Sequence, residues 1–156
     1  AGDGGTAMTD NAKFGGGASG TVLDDWPMPP SADFIGFEFG EFDREAMALR
    51  TRFRASEAML NPAGTVQGGF LGVMLDEVMG SLVVALHEGR LRPATTDLHT
   101  QYFKAAYPGP LFGFARVTRM GRSMAFTEGT ISDEAGDVVA LAIQTAKLLP
   151  IPGAPA

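Results

Sequence analysis

Asp76 and Glu77 are the only charged residues between Val66 and Leu86, a stretch whose apolar side chains fall on every side at helical spacing, as in a helix enclosed by other structure. A carboxylate at the centre of such a segment is costly to desolvate, so it is neutralised, paired or used. At about 100° per residue, Asp76 shares its face with Gly69, Gly72, Val73, Met79, Gly80 and Val83. Each glycine costs a helix interior about 1 kcal/mol against alanine, so something comes close to the backbone along this stripe. That neighbour is a packed sheet or partner helix, or a ligand lying towards Asp76. Glu77 points to a different face, with Phe70, Met74, Ser81 and Val84, and stands behind Asp76 as a candidate.

Gln67 and Gly68 precede Asp76 by about two helical turns. Backbone N–H groups at a helix N-terminus lack intrahelical partners and sit at the positive end of the helix dipole. The Gly68 N–H is thus suited to polarise a carbonyl or hold an oxyanion, and the bare Gly68 and Gly69 would let a substrate approach it. Asp76 lies about 12 Å further along the same helix, too far for both to act on one carbonyl. A second, antiparallel copy of the helix would bring the Gly68 of one subunit near the Asp76 of the other.

Other chemistries find no support. The chain has no cysteine, which excludes disulfides, thiolate metal sites and cysteine nucleophiles, and suits a cytoplasmic protein. No basic n-region followed by an apolar h-region is present, so no secretory signal is read. His87 and His99 are isolated and are read as structural, so no metal site is expected. There is no Walker A loop, dinucleotide fingerprint, H-E-x-x-H or G-x-S-x-G. A membrane span is rejected, because two carboxylates at its middle would cost about 2.5 to 3.5 kcal/mol each. The net charge of -6 argues against nucleic acid, yet residues 90 to 122 hold six bases (Arg90, Arg92, Lys104, Arg116, Arg119 and Arg122) and one acid. These are solvated strand edges and turns, or a local field for an anionic, phosphate-bearing ligand.

The 156 residues form one domain. Residues 1 to 33 read as a flexible Gly-rich tail to about residue 20 followed by a loosely docked lead-in, in which WPMPPS is expected to be irregular. Strands are expected at Phe34 to Asp43 and Ala46 to Phe53, paired as a hairpin, with a helical turn at Ser56 to Leu60. The long helix begins near Gly64 or Thr65 and ends near His87. Four strands follow: Thr95 to Ala105, Leu111 to Met120, Ser123 to Ser132 and Val138 to Leu149. Residues 34 to 149 thus form an α+β domain with a meander around a central helix, and residues 150 to 156 a short tail.

The pattern Asn61-x-x-Gly64-x-x-Gln67-Gly68-Gly69, then Asp76, Thr95-x-Asp97-Leu98, Tyr102-Phe103, Pro108-Gly109 and Gly121-Arg122, resembles the hotdog-fold acyl-CoA thioesterases of the phenylacetate-pathway and 4-hydroxybenzoyl-CoA type. The resemblance spans roughly residues 34 to 149. It implies a six-stranded antiparallel sheet around the helix, a homodimer with two shared sites, often paired into a homotetramer, and hydrolysis of an acyl-CoA to acid and coenzyme A. No cofactor is implied beyond the coenzyme A of the substrate. By the same resemblance, Asp76 is nucleophile or general base, Gly68 the oxyanion donor, Asn61 the side chain orienting water or the carboxylate, and Thr95 the hydroxyl positioning water. Gln67, Gly69 and Glu77 fall on the substrate side, and Arg90, Arg92, Arg119 and Arg122 are candidates for coenzyme A phosphates. The family usually has His where this chain has Gln67, which hydrogen-bonds but carries no proton at neutral pH. A binding protein that kept the fold and lost the chemistry is the alternative reading. A hotdog hydratase or dehydratase is disfavoured by the same missing His.

Overall fold

The computed structural model describes residues 20–154; the tail expected before residue 20 lies outside them. Two helices and six strands follow in the order α1 Pro30–Phe34, β1 Glu38–Asp43, β2 Ala48–Ala55, α2 Gly68–Leu86, β3 Leu91–Tyr102, β4 Gly109–Met120, β5 Met124–Ser132 and β6 Val138–Pro150. The strands form one antiparallel sheet in the order β1-β2-β4-β5-β6-β3, wrapped around α2, which is the expected hotdog arrangement. β2 pairs with β4 on the far side of the chain segment that holds α2, and β3 pairs with β6 at the sheet edge and not with β4, so only β4, β5 and β6 run as the expected meander.

Alternation puts one row of each of the four central strands on the inner face: Leu49, Thr51 and Phe53 of β2, Leu111, Gly113 and Ala115 of β4, Thr127, Gly129 and Ile131 of β5, and Ala140, Ala142, Gln144 and Ala146 of β6 are all buried. Small residues in these rows let the helix sit close. A Cβ on Gly129 would stand 3.1 Å from Met79 Cγ, a tight contact that Met79 would have to shift to relieve. By length and composition α2 is apolar enough to cross a membrane, but Leu71, Met74, Leu75, Val78, Met79 and Leu82 are buried in the common core with the inner rows of the sheet.

Three expectations are corrected. The helix is not enclosed on all sides: Gly69 and Val73 are exposed, and Asp76, Glu77 and Gly80 are half-buried. Glycine adds little hydrophobicity of its own, so an all-round apolar reading overlooked an open side. The lead-in is better docked than its composition suggests, because Leu23, Ala32 and Ile35 are buried. Within it Pro30 and Ser31 are helical, since proline's fixed φ suits the first position of a helix. The first strand consequently starts at Glu38 and not at Phe34; Gly36, at φ +61°, turns the chain beside Arg54, whose Cβ would be 2.7 Å from any Cβ added there.

Candidate active site

The loop before α2 is closed on itself. Asn61 accepts at Oδ1 from the backbone N–H groups of Ala63 (3.0 Å) and Thr65 (3.2 Å), and its Nδ2 donates to Thr65 Oγ1 at 2.9 Å. This is the local side-chain-to-backbone bonding that makes Asn a turn residue, with Gly64 at φ +77° completing the turn. Asn61 is therefore engaged within its loop and is not brought to Asp76 inside one chain. Val66 N–H to the Ala106 carbonyl and Gln67 N–H to the Met59 carbonyl, both 2.8 Å, then fix the start of the helix.

No side chain caps that start: Gln67 occupies the cap position without a side-chain bond to the backbone and is exposed. The ring of Tyr102 lies over Gly68, with its hydroxyl donating to the Gly68 carbonyl at 2.9 Å. A Cβ on Gly68 would stand 3.1 Å from Tyr102 Cζ, whereas nothing lies within 4 Å of one on Gly69. Openness to a ligand thus belongs to Gly69; within the chain, the missing side chain of Gly68 makes room for Tyr102.

Asp76 is reached from two strands. Thr95 of β3 donates its hydroxyl to Asp76 Oδ1 at 2.9 Å, and Gln144 of β6 donates Nε2 to the same oxygen at 2.5 Å. Gln144 in turn accepts the Thr127 hydroxyl at Oε1 at 3.4 Å. Expected Thr95 is therefore placed on the carboxylate, while Gln144 and Thr127 were missed. Their signal was present: in β6 the inward row reads Ala140, Ala142, Gln144, Ala146, and one amide in such a row needs a polar partner.

Asp76 and Thr95 line a cavity of about 790 Å3 that also takes in Glu77, Ser81 and Val84 of α2 and Phe37 and Phe39 at the first strand. Its far wall is the lead-in, from Leu23 through Trp26 and Met28 to Ser31. Glu77 accepts the Ser81 hydroxyl at 3.3 Å. Burial pushes its carboxyl above the ordinary range; the Ser81 bond opposes that shift and the neighbouring Asp76 charge adds to it.

The basic residues divide. Arg90 is paired with Glu88 at 3.1 Å at the C-terminal end of α2. Arg92, Arg119 and Arg122 are exposed, and none forms an ion pair among the described residues. The register joins them at one end of the sheet, where Arg92 lies opposite Leu149, Lys147 opposite both Ala94 and Met124, and the Leu148 N–H bonds the Ser123 carbonyl. Lys147 was not among the expected cations. Among the described residues no group of three or more His, Asp or Glu side chains is arranged to hold a metal ion.

Comparison with known proteins bears on the fold and the family. The family model described as the thioesterase superfamily covers residues 63–140. The phenylacetic acid degradation-related protein of Ralstonia eutropha JMP134 is 36% identical over 81% of this chain and 95% of that one, with a TM-score of 0.76. The PaaI protein from the phenylacetic acid degradation operon of E. coli shares the fold at 16% identity and TM-score 0.70, over 78% and 85% of the two chains. So does a Streptococcus mutans UA159 protein solved bound to acetyl CoA, at 21% identity and TM-score 0.66, over 75% and 91%. No curated protein matches the chain. With half its length matched by the family model and a relative above 30% identity across most of it, this chain belongs to the thioesterase superfamily.

Proposed function

We propose that the protein hydrolyses an acyl-CoA thioester, with Asp76 as the reacting carboxylate and the cavity beneath the lead-in as the acyl site. The observation that carries this reading is the placement of Asp76, held by the Thr95 hydroxyl at 2.9 Å at the wall of a cavity of about 790 Å3. That volume lies within the range of about 300 to 1,000 Å3 that small-molecule pockets occupy. Acetyl CoA bound to the S. mutans relative is consistent with such a substrate.

Two routes lead to the same products. As general base, Asp76 takes a proton from water, the hydroxide attacks the thioester carbonyl, the C–S bond breaks, and the thiolate leaves with the proton. As nucleophile, Asp76 attacks the thioester carbonyl, the C–S bond breaks to release the thiolate, and water cleaves the resulting mixed anhydride to the acid and the Asp76 carboxylate, leaving a proton for the thiolate. Either way a donor must hold the oxyanion, and Gly68 of the same helix is about 12 Å away along the axis. A second copy packed antiparallel on the open glycine face supplies its Gly68 N–H there. It would also bring the Arg92, Arg119, Arg122 and Lys147 end of one chain beside the Gly68 end of its partner, where the phosphates of coenzyme A need cations.

One feature favours a second reading. Gln67 cannot titrate where the family usually has His, and its side chain makes no cap bond, which suits a binding protein that has given up hydrolysis. Thiol release from a panel of aryl- and fatty acyl-CoA thioesters separates the two, and the cysteine-free chain is silent to the thiol reagent. We expect turnover of one acyl class, and a loss of about a hundredfold or more in kcat for Asp76→Asn. Binding without release by the native protein would establish the second reading.

A further inference from the structure

We propose that Gln144 is the positioning residue for Asp76, deciding which carboxylate oxygen is presented to the thioester or its water; this rests on the hydrolase reading above. Gln144 is 2% exposed and Thr127 1% exposed, so neither has water as an alternative partner. A primary amide has one donor end and one acceptor end. Here the acceptor end takes the Thr127 hydroxyl at 3.4 Å and the donor end meets Asp76 Oδ1 at 2.5 Å. Turned end for end, the amide would set its oxygen against the carboxylate, and a buried pair of facing acceptors is costly. The orientation is thus fixed by the carboxylate, which only accepts, while the Thr127 hydroxyl gives the amide oxygen a partner in that orientation.

The consequence for Asp76 is directional. Thr95 and Gln144 both donate to Oδ1, so Oδ2 is left to take the proton from water or to attack the carbonyl. The terminal torsion of an Asp side chain is broad and roughly two-fold, so nothing intrinsic to Asp76 makes this choice. Gln144 also makes it without neutralising the carboxylate, as a buried lysine or arginine would. A neutral donor holds the anion in place and leaves its charge for the reaction.

The test compares Gln144→Met, of similar length but without a donor, with Gln144→Glu. Gln144→Met should lose about 10- to 100-fold in kcat with KM changed by less than about threefold, because the pocket is kept and the reacting oxygen is not. Gln144→Glu should recover activity relative to native as pH falls. Its acid form donates an O–H to Asp76, while its anion repels it. A side chain that merely fills space would give a ratio flat with pH. Thr127→Val, which removes only the partner of the amide oxygen, should cost about fivefold in kcat and guards against a Gln144 variant that fails to fold. Independently of turnover, the Gln144 side-chain amide resonances should move in Asp76→Asn relative to native protein. Native kcat in Gln144→Met, a flat Gln144→Glu ratio, or amide resonances unmoved in Asp76→Asn would each overturn the proposal. If the native protein releases no thiol, it is the hydrolase reading that fails, and the amide resonances decide whether Gln144 holds Asp76.

Discussion

The two sides of α2 are built from different materials. On the sheet side Leu71, Met74, Leu75, Val78, Met79 and Leu82 are 0 to 3% exposed; on the other, Val73 is 40% exposed and stands among Gly69, Asp76 and Gly80. The sheet side is held by packing against inner rows kept small at Gly129, Ala140 and Ala142, so its residues answer to volume. On the glycine side Asp76 answers to hydrogen bonds that arrive from distant strands. One helix thereby separates stability from chemistry by a half-turn, and a substitution should report which side it falls on.

The largest effect is expected from Leu75→Ala. This side chain is 0% exposed, and truncation should cost about 2 to 5 kcal/mol of unfolding free energy, read by urea denaturation. A cost under about 1 kcal/mol would mean that the sheet side is not the rigid one. Gly80→Ala should do the reverse. An added Cβ meets only Pro93 Cγ, at an ordinary 3.6 Å, so the helix should gain about 0.5 to 1 kcal/mol. Because Gly80 also lines the cavity, kcat/KM for the preferred thioester should fall; unchanged turnover would place the acyl group elsewhere.

The smallest effect concerns Glu77. Burial raises its folded-state carboxyl above the unfolded value. While pH lies below the unfolded range near 4, both states hold the proton and the group is neutral to stability. As pH rises through that range and then through the folded value, the unfolded chain releases its proton more readily, and stability is lost. Glu77→Gln removes that loss, so thermal scans should show a gain at pH 7 that disappears below about pH 4. A gain equal at both pH values would assign the effect to packing instead.

Much of this was legible in the chain itself. Alternation fixed the strands to within a few residues, except at Phe34, where a proline-initiated helical turn intervened. The glycine stripe and Asp76 stood out because a charge among apolar residues is a local anomaly, and Thr95 came with the motif. The rest depended on pairings far apart in the chain. Gln144 meets Asp76 across 68 residues, and no local pattern says that β6 will lie over the middle of α2. Asn61 came with the resemblance too, and within one chain its amide closes on Thr65 across a four-residue turn.

Sequence alone determined the long helix, the six strands and the candidate carboxylate, because these follow from periodicity and from the cost of burying charge. Only the tertiary structure decided that the helix has an open side, that the lead-in walls a cavity, and that Asp76 presents one oxygen and not the other. Those outcomes depend on which strand neighbours which, and the chain reveals that only once the sheet has closed around the helix.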